Sequence, residues 1–145
     1  MKAKWLRADP LGHGFWNGYL GYIHLLKGDR KKADGILRQA FLSVYEYLDQ
    51  NPWANPPEIW FLFDGKARLE LMDSRAEHAA QFFGIAWTRR EKEDYPLTEF
   101  ERPDYEACIA EIRTAIGDAA FEEAFAKGLG MTFAQALQFA LEDQE

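Results

Sequence analysis

The chain has 145 residues, 48% of them hydrophobic and 15% aromatic, which is enough for one domain with a real core and too little for two. Its formal charge of -7 argues against a nucleic-acid-binding face, because such a face needs clustered Lys and Arg. Cys108 is the only cysteine, which excludes an intramolecular disulfide and a cysteine-based zinc site, and the lack of a membrane-length apolar run or a signal-peptide pattern predicts a cytoplasmic protein.

The first third of the chain predicts a helical hairpin at residues 15–50. Residues 1–14 are a lead-in with turn-forming residues at 9–10 and 12–14, and a first helix is expected at 15–27. Gly28 ends that helix and Asp29 is the expected cap of the next one. The second helix is predicted at 30–48, because its apolar residues recur at intervals of three and four: Ala33, Ile36, Leu37, Ala40, Phe41, Val44, Tyr45 and Leu48.

A proline-rich stretch at 51–57 separates this hairpin from a second one, predicted at 58–93. Proline has no backbone donor and restricts the residue before it, so the helix has to stop there. Residues 59–63 are apolar nearly all round, which predicts burial between neighbouring helices. Asp73 and Ser74 favour a turn between the two helices. Small residues interleaved with large ones indicate that the helices approach closely.

The C-terminal helices are predicted at 103–142, after a polar loop at 94–102. Pro103 suits a first helical position, and the surroundings of Cys108 predict that it is a small buried hydrophobe. A short helix at 119–127 is expected to end at Gly128 and Gly130, and Thr132 then begins a capping box. No stretch predicts a strand. The expected fold is all-α, a single domain over residues 1–145 with about six to seven helices.

The two hairpins resemble copies of the tetratricopeptide repeat, stacked as a fragment of an α-solenoid. Ala33 and Ala79 stand at corresponding positions 46 residues apart, longer than the usual repeat of about 34. Lys66 departs from the pattern, which prefers a large apolar residue there. The matching residues are Leu20, Gly21, Gly28, Asp29, Ala33, Leu37 and Ala40 in the first hairpin and Ala67, Ala79, Phe83 and Ala86 in the second.

The C-terminal half resembles a particular family. The segments HAAQFFGIA at 78–86, RPDYE at 102–106, IGDAAF at 116–121, FAKG at 125–128 and MTFAQA at 131–136 occur in this order. They are similar to the end of the helical-repeat region in large bacterial signal-transduction regulators of the LuxR-type, AfsR-like and cyclase-linked ATPase group. The resemblance implies a sensor or scaffold segment whose ATPase, DNA-binding or cyclase parts lie elsewhere, since the chain has no phosphate-binding loop.

Motifs that could support catalysis or metal binding are weak. Residues 12–14, Gly-His-Gly, could hold an anion, but a flexible entry turn is the favoured interpretation. His24 and His78 have no carboxylate at ligand spacing, so no metal site is expected. Glu122 and Glu123, and the acidic residues of 91–94, are interpreted as solvated helix faces, because adjacent helical residues point apart. An enzyme using His13, His24 or His78 would require these side chains to converge in one cleft.

The aromatic residues near the proline-rich stretch are the main candidates for binding. Many of them suit a core, but aromatic side chains are also common anchors of interfaces. By the tetratricopeptide resemblance, the first helix of each hairpin lines a concave groove, with Asp64 and Arg68 able to pair across one turn. The candidate partner-binding or ligand-binding residues are Phe15, Trp16, Tyr22, Trp53, Phe61, Asp64, Arg68 and Met72.

The sequence therefore predicts a non-catalytic protein-interaction or sensor module of a bacterial regulator, with no cofactor. Its expected partner is another protein or the rest of a larger regulator, with a homodimer through an exposed apolar face as a variant. One alternative is a small-molecule pocket under residues 51–57, and another is a segment that caps a helical-repeat array and has only a structural role. An open groove would favour the protein partner, and an enclosed apolar cavity would favour the small molecule.

Overall fold

The computed structural model describes residues 20–25, 27–54 and 59–142. Within these ranges every regular element is a helix, which confirms the predicted all-α class. Residues 20–25 are helical and precede six complete helices. These are α1 (Arg30–Gln50), α2 (Trp60–Met72), α3 (Ala76–Glu93), α4 (Arg102–Ile116), α5 (Asp118–Leu129) and α6 (Phe133–Leu141).

Helix α1 forms where its apolar spacing predicts and ends two residues later. Its buried side chains lie on one stripe. The helical segment 20–25 packs against them. Gly21 of this segment is so close to α1 that a Cβ added to it would lie 2.9 Å from Leu37 Cγ. Gly28 ends the segment with φ +79°, a conformation that glycine adopts without a steric cost. Asp29 precedes α1 as predicted, but its side chain makes no capping hydrogen bond, so that part of the prediction is wrong.

The predicted second hairpin is present as α2 and α3, joined by the short turn at 73–75. Asp73 lies in this turn and accepts hydrogen bonds from Arg30, including one from Nη2 at 2.6 Å, which ties the turn to the start of α1. Helix α2 is buried on nearly every side, as its apolar first turns predict, because it packs against both α1 and α3. It therefore forms the centre of the described structure.

Helices α3 and α5 pack together at two glycines. A Cβ added to Gly84 would lie 2.2 Å from the carbonyl oxygen of Phe125, and one added to Gly128 would lie 2.0 Å from the carbonyl oxygen of Gln81. Only residues without a side chain allow two helix backbones to approach so closely. Gly128 and Gly130 were expected to end this helix. Gly130 follows its last residue as predicted, whereas Gly128 lies inside α5, which continues to Leu129.

The C-terminal helix folds back over the rest of the molecule. Thr132 and Gln135 form the predicted capping box, each side chain accepting the other residue's backbone N–H. Helix α6 then packs against α1, and the ring of Phe139 stacks on that of Phe82 of α3 with centroids 4.5 Å apart. Buried apolar residues of α1 to α6 consequently form one continuous core. None of the helices described by the structure is long and apolar enough to cross a membrane.

Candidate functional site

The structure describes six of the eight predicted binding residues and two of the three histidines. Phe15, Trp16 and His13 lie outside the described residues. Trp53 is 93% exposed in the connection between α1 and α2, and Met72 is 47% exposed at the end of α2. Trp53 and Met72 are thus accessible to a partner, as the prediction requires.

The other predicted binding residues are covered. Phe61 is only 6% exposed and belongs to the core, contrary to the prediction that it lines an open groove. Asp64 is 1% exposed, and the side chain of Arg68 is 13% exposed. Tyr22 is half-buried. Helix α2 has neighbours on almost every side, and for that reason a face that looks free in the sequence is largely closed in the structure.

The predicted pair of Asp64 and Arg68 is confirmed, and it lies at the centre of a larger cluster. Arg68 Nε donates to Asp64 Oδ2 at 2.9 Å. Arg68 Nη1 donates to the carboxylate of Asp104 on α4 and lies 3.6 Å from the sulfur of Cys108. The guanidinium also lies over the ring of Tyr22, 5.7 Å from its centroid. We call these five residues the Arg68 cluster.

Burial raises the pKa of both the phenol and the thiol of the Arg68 cluster, and the charge of Arg68 acts in the opposite direction. Burial, followed by the charge of Asp64, raises the pKa of Tyr22 to about 12. Burial likewise raises the pKa of the Cys108 thiol, and Asp104 contributes in the same direction. Cys108 was predicted to be a small buried hydrophobe. It is half-buried, and its contact with Arg68 was missed because nothing in the local sequence places α4 beside α2.

This arrangement makes the Arg68 cluster an internal connection. Its members come from the segment 20–25, from α2 and from α4. The contacts of Arg68 therefore join three helical segments that are far apart in the sequence. Arg68 already binds two carboxylates, and Asp64 is nearly inaccessible. The pair of Asp64 and Arg68 is buried within α2, and Arg68 reaches α4 through Asp104, whose side chain is 62% exposed. Charges that are already paired in this way offer little to an external ligand.

A second buried carboxylate, Glu70, lies six residues after Asp64 on α2. Its oxygens are 3.2 Å from Lys66 Nζ, 3.5 Å from Arg75 Nη1 and 3.9 Å from His78 Nδ1. Lys66 also lies over the ring of Phe82, 5.9 Å from the centroid. The departure of Lys66 from the repeat pattern is therefore explained, since its charge compensates a carboxylate that is 1% exposed.

The histidines do not form a common site in the described chain. His24 lies 3.9 Å from Asp29, whereas His78 lies beside Glu70. Across residues 20–25, 27–54 and 59–142, no three or more His, Cys, Asp or Glu side chains are grouped to hold a metal ion. An enzyme that used these histidines would need their side chains to converge in one cleft. His24 and His78, the two histidines that the structure describes, do not converge.

The acidic pairs predicted to be solvated are not all solvated. Glu122 is exposed and pairs with Arg113 at 2.6 Å. Glu93, in contrast, has a side chain only 7% exposed, and its Oε1 accepts the backbone N–H of Trp60 at 3.1 Å. Glu93 thus satisfies a donor at the start of α2, where a helix has unpaired N–H groups. The prediction of a solvated face was wrong for Glu93 and fits Glu91 and Asp94, which are exposed.

The start of α2, the last turns of α3 and the following loop together form a region that the sequence did not indicate. The guanidinium of Arg90 lies over the ring of Trp60, 3.7 Å from its centroid. Its Nη2 pairs with Glu101 at 2.8 Å, and its Nη1 donates to the carbonyl oxygen of Tyr95 at 3.4 Å. Arg90 thereby holds the loop against the two helices.

A crevice of about 220 Å³ opens to solvent beside this arginine. Its apolar wall is formed by Trp87, Pro96 and Leu97, and its charged rim includes Glu91, Asp94 and Arg102. The loop next to it carries two exposed aromatic side chains, Tyr95 at 48% and Phe100 at 94%. We call the region formed by Trp60, Trp87, Arg90, Tyr95, Leu97 and Phe100 the Trp60 end.

The sequence analysis missed the Trp60 end because it treated residues 94–102 as a polar loop. Tyr95, Leu97 and Phe100 are a usable signal, since three large apolar residues in a short loop need either a core or a partner. Open clefts also occur elsewhere among the described residues, including one of about 730 Å³ beside His78 and Gln138 and one of about 410 Å³ beside Tyr45 and Leu141.

Comparisons of the chain with protein-family models, with curated proteins and with solved structures give no match. The resemblance to the helical-repeat region of bacterial regulators therefore stays a prediction. The function has to be inferred from the geometry of the described residues.

Proposed function

We propose that the chain is a non-catalytic protein-interaction module and that a segment of its partner docks at the Trp60 end. The observation that supports this proposal best is the side chain of Phe100, which is 94% exposed in the same loop that supplies Pro96 and Leu97 to the wall of the crevice. A phenylalanine ring so exposed gains nothing from folding, whereas aromatic rings are frequent anchors of protein interfaces. The partner in this proposal is a separate protein or another part of a larger cytoplasmic regulator.

Several accessible apolar groups support the same location. Single exposed apolar residues are common on protein surfaces, but Tyr95, Leu97 and Phe100 share one loop. The ring of Trp60, at the start of α2, lies 6.4 Å from that of Tyr95. An aromatic side chain of α2 therefore packs beside the loop that carries Tyr95, Leu97 and Phe100.

The shape of the crevice favours a protein segment over a free small molecule. Small-molecule sites commonly occupy about 300 to 1,000 Å³ and enclose most of the ligand. The crevice is smaller, at about 220 Å³, and open, which suits one apolar side chain presented by a partner. Trp53, a candidate binding residue in the stretch that was proposed to lie over a small-molecule pocket, is 93% exposed.

Panning a phage-displayed random peptide library against the immobilised chain tests the proposal. We expect enriched peptides that lose at least about tenfold in affinity on Phe100→Ala, since a buried aromatic anchor commonly contributes this much. Tyr45→Ala is the matched control, because Tyr45 is an exposed aromatic residue on α1, and it should leave the affinity unchanged. The proposal fails if no peptide is enriched over an unrelated protein, or if the enriched peptides bind the Phe100→Ala variant equally well.

A further inference from the structure

The charge of the chain is distributed unevenly, and the Trp60 end lies where the distribution changes. Residues 94–145 contain twelve acidic and three basic side chains, whereas residues 1–93 contain twelve acidic and fourteen basic ones. The loop of the Trp60 end begins at Asp94, the first residue of the acidic part. A surface with such an excess of one sign attracts partners of the opposite sign and speeds their association.

The basic side chains around the crevice are already paired. Arg90 contacts Glu101 at 2.8 Å, and Arg102 contacts Glu106 at 3.6 Å. Glu91 and Asp94, both on the rim of the crevice, are exposed and form no ion pair within the part of the chain that the structure describes. The uncompensated charge at the crevice is therefore negative.

From these observations we infer that the crevice binds one apolar side chain of a partner segment whose neighbouring residues are Lys or Arg. The apolar wall of Trp87, Pro96 and Leu97 would bury the anchor, and Glu91 and Asp94 would pair with the flanking cations. This inference rests on the proposed function and adds the chemistry of the partner. It predicts binding that weakens as salt is added, because exposed charges are screened within about 10 Å at 0.1 M ionic strength.

Three labelled peptides test the inference on the full chain. The first has a central leucine with two lysines on each side, the second has alanine at the centre, and the third has glutamate in place of every lysine. Binding is followed by NMR, using the indole N–H of Trp87 and the backbone amide of Leu97 to locate it. We expect the leucine peptide to bind at least about tenfold more tightly than the alanine peptide, and the glutamate peptide not to bind.

A pair of double variants separates the local charge from the net charge. Glu91→Gln with Asp94→Asn removes the rim carboxylates, and asparagine tolerates the left-handed backbone of position 94, where φ is +59°. This variant should weaken the leucine peptide about fivefold or more. Glu123→Gln with Glu142→Gln removes the same number of charges from exposed positions elsewhere and should change the affinity less than twofold.

Three results would overturn the inference: equal binding of the glutamate peptide, an equal loss in both double variants, or shifts centred on the cleft beside Gln138. The failure of this inference differs from that of the proposed function. If library peptides depend on Phe100 but carry no excess of Lys or Arg, docking at the Trp60 end stands and the basic partner is wrong. If no peptide depends on Phe100, the docking site itself is wrong.

Discussion

Helix α3 makes two kinds of contact, one in its middle and one at its C-terminal end. Around Gly84 it meets α5 backbone to backbone, with no space for even one methyl group. Around Trp87 and Arg90 it borders an open crevice, beside a loop with exposed aromatic side chains. Small residues thus produce the closed contact and large residues the open one. The size of a side chain alone therefore does not tell which part of a helix is buried and which is available to a partner.

The glycine contact and the Trp60 end also differ in the interactions that stabilise them. The glycine contact depends on close backbone packing, which tolerates almost no change of volume. The Trp60 end depends on one buried arginine, Arg90, which holds a loop by its contacts with Glu101, Tyr95 and Trp60. We therefore expect the first region to respond strongly in stability when altered, and the second to respond mainly in binding.

Gly84→Ala should give the largest effect on stability. Its Cβ would lie 2.2 Å from a backbone oxygen, so α3 and α5 would have to separate. We expect a loss of about 3 kcal/mol in the free energy of unfolding, since overpacking a core commonly costs about 1 to 3 kcal/mol and a backbone cannot move aside as a side chain can. Urea unfolding followed by circular dichroism measures it.

Gly35→Ala is the control for this substitution. Gly35 lies in α1, and a Cβ there would meet nothing within 4 Å. This variant should stabilise the protein by about 0.5 to 1 kcal/mol, because alanine is the better helix former. If Gly84→Ala proves as harmless as Gly35→Ala, the close contact between α3 and α5 is wrong.

Asp64→Asn should give the next largest decrease in stability. It leaves the buried guanidinium of Arg68 with one carboxylate, that of Asp104, where it had two. We expect a loss of about 2 to 3 kcal/mol in the free energy of unfolding. Asp104→Asn, whose side chain is 62% exposed, should cost at most about 1 kcal/mol. Equal effects of the two variants in urea unfolding would show that Asp64 is not the buried member of the cluster.

The sequence predicts the helices well because the spacing of apolar residues indicates which face of a single helix is buried. This is why α1 and the capping box at Thr132 are in their predicted places. This spacing does not indicate which other helix packs against a given residue. Phe61, predicted to line a groove, is in the core, and Gly128, predicted to end a helix, lies inside one. Both errors come from contacts between distant elements, which local spacing does not encode.

The candidate site was predictable only in part for the same reason. The pair of Asp64 and Arg68 follows from their spacing of four residues, and it is present. Its connection to Asp104 and Cys108 spans about 40 residues of chain and requires knowledge of how α4 packs. The crevice at the Trp60 end is lined by α3, by the loop that follows it and by the first residue of α4, so no single stretch of sequence indicates it.

Stability should fall between about pH 10 and about pH 12 because of the tyrosines in and beside the Arg68 cluster. Burial raises the pKa of Tyr22 and of Tyr105 from about 10 to about 12, so the folded state holds these protons more tightly than the unfolded state. Their contribution is complete below pH 10 and is lost as the pH rises through 12. Urea unfolding at about pH 9 and pH 12 measures this loss.

A double variant, Tyr22→Phe with Tyr105→Phe, isolates the two phenols from other groups that titrate at high pH. Phenylalanine has no proton to lose, so the decrease in stability from about pH 9 to about pH 12 should be smaller in the variant. An equal decrease in both proteins would mean that these phenols are no more protected from ionisation in the folded state than in the unfolded state.

Phe100→Ala should give the smallest effect on stability, and this makes it the sharpest test of the open end. The ring is 94% exposed, so its removal should change the free energy of unfolding by no more than about 0.5 kcal/mol. Leu97→Ala, which removes part of the crevice wall, is the comparison and should cost somewhat more because Leu97 is half-buried. A loss above about 1 kcal/mol for Phe100→Ala would place the ring in a core. The Trp60 end would then be closed like the glycine contact, and its most exposed residue would no longer be available to a partner.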